Sequence, residues 1–136
     1  MPRFLRGVLL LALAFVEANL AEGADLLVAD RLTNSVYRYS ESGDLLGTVL
    51  TDSHLNQASG IALSPDRRKL YVSSFQNARV MRYDYNPVTG IASNAMIFAD
   101  QSDGISAPGS IVLSDDGQTI YVANLGGTGV TRLKAD

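Results

Sequence analysis

Three stretches of this sequence lie beneath one another without a gap: "LLVADRLTNSVYRY" from Leu26, "LYVSSFQNARVMRY" from Leu70 and "IYVANLGGTGVTRL" from Ile120. Val28, Val72 and Val122 fall in one column, Val36, Val80 and Val130 in a second, and Arg38, Arg82 and Arg132 in a third. A period of 40 to 50 residues marks a repeated supersecondary unit, which must be recognised before any single element is assigned. Within each copy, Val, Tyr and Leu fill short runs separated by Asn, Ser, Gly and Asp, the pattern of two β-strands around a polar loop.

The flanking residues complete the unit. "GIALS" at 60–64 and "SIVLS" at 110–114 are short apolar strands. Each turns through "PDRRK" or "DDGQT" into the next strand, with Pro65 and Gly117 as turn formers. "RVMRYDY" supplies a third strand, "NPVTG" a tight connection and "NAMIFAD" a fourth. Four antiparallel strands per repeat, with no helical periodicity after residue 24, predict an all-β chain of β-propeller blades. The expected blades run over about 25–50 (second to fourth strands), 58–100 (complete) and 108–134 (first to third strands). Such an arc does not close a ring, so the sequence reads as an incomplete propeller, a fragment of a larger one. Its outermost blades leave apolar faces that self-association would cover.

Residues 1–24 differ in kind. Arg3 and Arg6 precede the apolar run "VLLLALAFV", and small residues follow at Ala18, Ala21 and Ala24. This is the layout of a secretory signal peptide. A membrane span needs about 20 apolar residues, and Glu17 interrupts this run after nine. The expectation is therefore a secreted or periplasmic protein of residues 25–136, with no membrane attachment once the leader is removed. Without cysteine, it has neither disulfides nor thiolate metal sites. A formal net charge of −3 with no block of like charge offers nothing to nucleic acid.

At "GIALSPDRRKLYVSS" and "ARVMRYDYNPVTGIASNAMIFAD" the chain resembles the SMP-30/gluconolactonase-type and NHL-type six-bladed propellers, and "LLVADRLTNSVYRYSESGDLLGTVL" is closer to the NHL wording. The resemblance implies a divalent-metal site built from a Glu near the chain start, an Asn before the Gly of one first strand, and an Asp after the Pro of the next. Here those last two positions hold Ser59 and Gly109, and no Glu follows Glu22 before the first repeat. Calcium takes six to eight oxygens, several of them from carboxylates, so no metal or other cofactor is expected.

No other catalytic set is visible. The single His54 excludes paired-histidine metal motifs, and no Gly-x-Ser-x-Gly elbow occurs. His54 reads as a solvated loop residue, "DQSDG" at 100–104 as an acidic turn, "GGTG" at 126–129 as a hairpin, and the arginine column as stems packed along the third strand. Strand direction puts the loops after second and fourth strands on one face. The residues of that face nearest the axis, Asp30, Ser59, Ser74 and Asn124, are the candidate binding residues, and none is assigned a catalytic or metal-binding role. The function expected is that of an exported scaffold for an unidentified small molecule or protein. The alternative is a sugar-lactone hydrolase or related lyase whose catalytic residues lie in further blades.

Overall fold

The computed structural model describes residues 25–127 and 129–135, together with the backbone of Ala12–Glu17. The leader expected at 1–24 otherwise lies outside the described residues.

Three antiparallel sheets follow one another along the chain. The first blade comprises β1 (Ala12–Glu17), β2 (Leu26–Asp30), β3 (Ser35–Tyr39) and β4 (Leu45–Thr51). The second comprises β5 (Ala58–Leu63), β6 (Lys69–Ser74), β7 (Arg79–Asn86) and β8 (Ile91–Ala99), and the third β9 (Pro108–Leu113), β10 (Thr119–Asn124) and β11 (Val130–Lys134). Strands pair in sequence order within each blade. The first strands of neighbouring blades approach one another, as they must where blades converge on an axis. One difference from the sequence reading concerns the first blade, expected to enter at its second strand. Ala12–Glu17 pairs with Leu26–Asp30 and completes a four-stranded sheet. An apolar run hydrophobic enough to read as a leader has the same composition as a strand buried on both faces.

The repeat columns acquire a physical meaning from the register. Leu70 pairs with Tyr83, and Val72 with Ile61 and Met81. These residues pack toward the first blade, against Leu27, Ala29, Val36 and Leu50. The alternate row of Ala62 and Tyr71 packs toward the third blade, against Ile111, Ile120 and Val122. β6 is therefore buried at five successive positions, whereas β10 alternates. A strand covered on both faces reads as a continuous apolar run, one covered on a single face as an alternation. The Tyr71 ring meets Phe98 edge-on at 5.1 Å, within the geometry aromatic pairs prefer.

The arginine column lies on the third strands, as the sequence implied, and in the first blade it crosses the seam. Arg38 is paired with Asp25 at 3.4 Å, and its guanidinium lies against Gly90 in the β7–β8 turn. Arg82 donates to the sulfur of Met96 at 2.8 Å.

The turns repeat atom for atom. Ser64 Oγ donates to Asp66 at 2.6 Å and accepts from the Lys69 N–H, while Asp66 also accepts from the Arg68 N–H. Ser114, Asp116, Gln118 and Thr119 repeat this arrangement. In both turns the serine hydroxyl holds the aspartate below its ordinary carboxylate value. The turn residue with positive φ is Arg67 in one copy (59°) and Gly117 in the other (69°). A side chain in that region costs roughly 1–2 kcal/mol. Gly117 has a second constraint, because a Cβ there would stand 2.8 Å from Cδ of Pro65 in the neighbouring turn.

Gly117→Ala should therefore cost at least about 1 kcal/mol. Arg67→Gly should be neutral or stabilising by up to about 1 kcal/mol, relief of strain being partly offset by a freer unfolded chain. Denaturant unfolding of both variants measures this, and comparable destabilisation by the two would show that the turns are not equivalent.

Candidate functional site

Most polar atoms of Asp30, Ser74 and Asn124 are occupied in holding loops. Asp30 closes β2 and accepts from the N–H of Leu32 at 2.8 Å and more distantly from that of Thr33. Ser74 closes β6, is fully buried, and its Oγ accepts from the Asn56 N–H at 2.7 Å. Asn124 closes β10, accepts from the Ser106 N–H at 2.9 Å and donates to Thr131 Oγ1 at 2.8 Å. These three occupy one column of the repeat, the last residue of the second strand. In the second and third blades that residue pins the loop entering its own blade. Ser59 lies half-buried on β5.

Around Ser59 the β5–β6 register slips between Ala58 and Ile61, and β9–β10 slips at the matching place. Such bulges bend a strand and leave backbone groups without ladder partners. Ser73, missed in the sequence, fills the gap in the second blade. Its buried Oγ accepts from the Gly60 N–H at 2.6 Å and donates to the Gly109 carbonyl at 2.6 Å. A Cβ on Gly60 would collide with that same carbonyl. Two first strands thus meet backbone to backbone, joined by one hydroxyl. A serine between Val72 and Ser74 carries no sequence mark of this role, since its counterparts are Ala29 and Ala123.

The positions to which the family resemblance assigns metal ligands therefore do not fit an ion. Gly109 has no side-chain oxygen and its carbonyl is already an acceptor, while Ser59 has a neutral hydroxyl. Among the described residues no three His, Asp or Glu side chains gather as a metal site. "DQSDG" forms a short 3-10 turn, Gln101–Asp103, closed by a reciprocal capping box between Asp100 and Asp103 and by Gly104 at φ 84°. Its carboxylates serve the turn.

Two polar groupings on the loop face were not legible. Arg31, after β2, lies over the Phe75 ring at 4.7 Å and donates through Nε to Gln57 Oε1 at 2.8 Å. It is a cation held between the first two blades, in a geometry that adds stacking to charge. At the outer end of the same seam, Asp52 accepts from the Tyr83 hydroxyl at 2.7 Å and from the His54 N–H at 2.8 Å, and its Oδ1 lies 2.7 Å from His54 Nδ1. The carboxylate is only 10% exposed, the imidazole 65%. Asn77 donates to the His54 carbonyl at 2.8 Å, so the loop is fixed to the second blade twice. Asp52, His54 and Tyr83 line a groove of about 310 Å³ with Ser93 and Asn94. His54 is thus exposed, as expected, but not idle. The Asp-x-His spacing suggests a local turn, whereas the partner Tyr83 lies 31 residues away, beyond the reach of any local pattern.

Burial pushes the Asp52 carboxyl up, but hydrogen bonds from the His54 backbone, the Tyr83 hydroxyl and the His54 ring outweigh it and leave it below its ordinary 3.8. Burial and that carboxylate together drive the Tyr83 hydroxyl well above its usual value. A carboxylate with a depressed folded pKa stabilises fully above its unfolded value, and this contribution is lost as pH falls through the folded one. Tyr83→Phe should cost about 1.5–3 kcal/mol near neutral pH, the loss of a hydrogen bond to a charged group. The gap from the natural chain should narrow as pH drops through the lowered Asp52 value. Unfolding curves across the acid range measure it, and a gap independent of pH would show that Asp52 is not the group involved.

The sequence profile described as "SMP-30/Gluconolactonase/LRE-like region" matches residues 19–136. A search of curated proteins returns no match. Among solved structures, the chain is similar to a gluconolactonase from Xanthomonas campestris, with 22% identity, a TM-score of 0.67, and coverage of 90% of this chain and 43% of that one. It is similar to a luciferin-regenerating enzyme (19% identity, TM-score 0.63, coverage 82% and 38%) and to virginiamycin B lyase from Staphylococcus aureus (12%, 0.61, 91% and 38%). The chain spans less than half the length of each of these structures. With three blades built on one strand order and a profile match over most of its length, the chain belongs to the SMP-30/gluconolactonase/LRE-like family.

Proposed function

We propose that this chain is an exported, non-catalytic propeller segment that binds a small molecule or a protein on the face bearing Asp30, Ser59, Ser74 and Asn124. The observation that carries this reading is the state of the two axial positions. Ser59 and Gly109 stand where the resemblance requires metal ligands, and the Gly109 carbonyl is taken by Ser73. On the same face Arg31, stacked on Phe75, supplies a held cation suited to a ligand with a carboxylate or several hydroxyls. Functional loops on a rigid scaffold fit this arrangement. The likeness to a gluconolactonase supports a second reading, hydrolysis of a sugar lactone, with its metal and catalytic residues supplied by blades outside this chain.

Calcium binding and lactone hydrolysis test the non-catalytic reading. The full chain should show no change in melting temperature in millimolar calcium. An ion present at 100 times its dissociation constant would add about 2.7 kcal/mol, so a rise of several degrees would overturn the scaffold reading. Gluconolactone hydrolysis by this chain, followed by proton release, should stay at the uncatalysed rate, and acceleration abolished by a chelator would overturn the non-catalytic reading.

Export rests on Arg3, Arg6 and the apolar run that follows. Ala12–Glu17 is also strand β1, so retention and excision of this segment exclude each other in one molecule. Mass spectrometry of protein produced in an exporting host should find a new N-terminus between Asn19 and Asp25. An intact Met1 would assign the segment to the blade and remove the case for export.

A further inference from the structure

Two copies of a repeat serve the same fold, so a polar residue that differs between them and satisfies nothing around it points to another task. The β6–β7 loop differs in this way from the β2–β3 loop. In the first blade Asn34 Oδ1 accepts from the Gln57 N–H at 2.8 Å, and the buried Ser35 hydroxyl donates to the Thr33 carbonyl and lies 2.8 Å from Thr51 Oγ1. In the second blade Asn77, Ala78 and Arg79 stand in place of Thr33, Asn34 and Ser35. The connection that follows is also longer, Asp100 to the buried Ile105 against Asp52 to the buried Leu55. Between this loop and this connection lies a groove of about 380 Å³. Both walls start from strands of the second blade, which has four strands and a blade on either side. Asn77 donates from Nδ2 to the His54 carbonyl at 2.8 Å, which fixes its amide, and its buried Oδ1 has no partner among the described residues. A buried acceptor left so is rare and asks for a reason. The half-buried Arg79 guanidinium makes no hydrogen bond to a described residue. On the facing wall the Ser102 hydroxyl above all, and Arg79 at longer range, hold the Asp100 carboxyl below its ordinary value.

We propose that this groove binds an uncharged saccharide, one hydroxyl donating to Asn77 Oδ1 while a neighbouring hydroxyl accepts from the Arg79 guanidinium. Each sugar hydroxyl both donates and accepts, which matches an acceptor and a donor held on one wall. The simpler occupants fit less well. An anion would serve Arg79, but it would face the Asp100 carboxylate and leave Asn77 Oδ1 unpaired. A metal cation would meet the guanidinium. A peptide also donates and accepts, but its side chains need apolar lining, and Ala78 is the one apolar residue of these walls. Asp30, Ser59, Ser74 and Asn124 are not among the lining residues, so the proposal holds whether or not they bind anything.

A chemical-shift titration of the isotope-labelled full chain with glucose, galactose, mannose and N-acetylglucosamine, each taken to tens of millimolar, tests it. At least one of these sugars should shift the Asn77 side-chain amide and the Arg79 Nε–H signals to saturation. Arg79→Ser, which installs the first blade's residue, should weaken that sugar by about tenfold or more, the loss of a hydrogen bond from a charged donor. Ala78→Asn adds a side chain to the groove wall at a position with φ 50°, a conformation asparagine adopts more readily than alanine. It should weaken the same sugar without lowering the unfolding midpoint, which keeps the question answerable if Arg79→Ser is unstable. No saturable shift with any of these sugars would overturn the proposal. Saturation by sodium sulfate in place of a sugar, or sugar shifts undiminished in both variants, would do the same.

Discussion

A propeller blade is a sheet with no outside. Both faces of its inner strands must be covered by neighbouring blades, and in the second blade β6 meets that demand, buried at five consecutive positions. The demand falls on every residue of the strand, which is why Leu-Tyr-Val runs replace the apolar–polar alternation of a sheet with one wet face. Hydrophobic burial then dominates each seam, at about 25 cal/mol per Å² removed from water. It is non-directional, however, and does not by itself set how far one blade rotates or slides against the next.

Directional polar contacts accompany that burial at both seams. Near the axis Ser73 bridges Gly60 and Gly109, a contact that tolerates no Cβ on Gly60. At the outer end of the first seam Asp52 ties the connecting loop to Tyr83. Also at the first seam, Asn34 Oδ1 accepts from the Gln57 N–H at 2.8 Å, so the first blade fixes the loop leading into the second. Gln57 and Ala107, at equivalent places in the connecting loops, both take positive φ, as do Asn34 and Ala78. The backbone path repeats more faithfully than the side chains do, as expected if the path is what the seams require.

That asymmetry explains what could be read in advance. The valine columns at 28, 72, 122 and at 36, 80, 130 report burial, and burial is a local, periodic demand. Strand order and the hairpin turns within the repeat were legible for this reason. The links that fix blades together join residues far apart: Tyr83 to Asp52 across 31 positions, Ser73 to Gly109 across 36. They use residue types as common in loops as in sites. The candidate residues Asp30, Ser74 and Asn124 share one column of the repeat, the last residue of each second strand. Their column is polar because the last residue of each second strand must cap backbone there.

Strand β1 carries a consequence for how such a molecule is handled before it is complete. Leu26–Asp30 has β3 on one side and β1 on the other. Without Ala12–Glu17 its inner edge would expose a row of unpaired N–H and C=O groups, a template that any extended segment can join. The chain would then hold, beside its axis, a receptor for a strand of foreign origin, selective through its backbone and almost blind to sequence. Whatever removes or withholds those six residues decides whether the blade is a finished wall or an open socket.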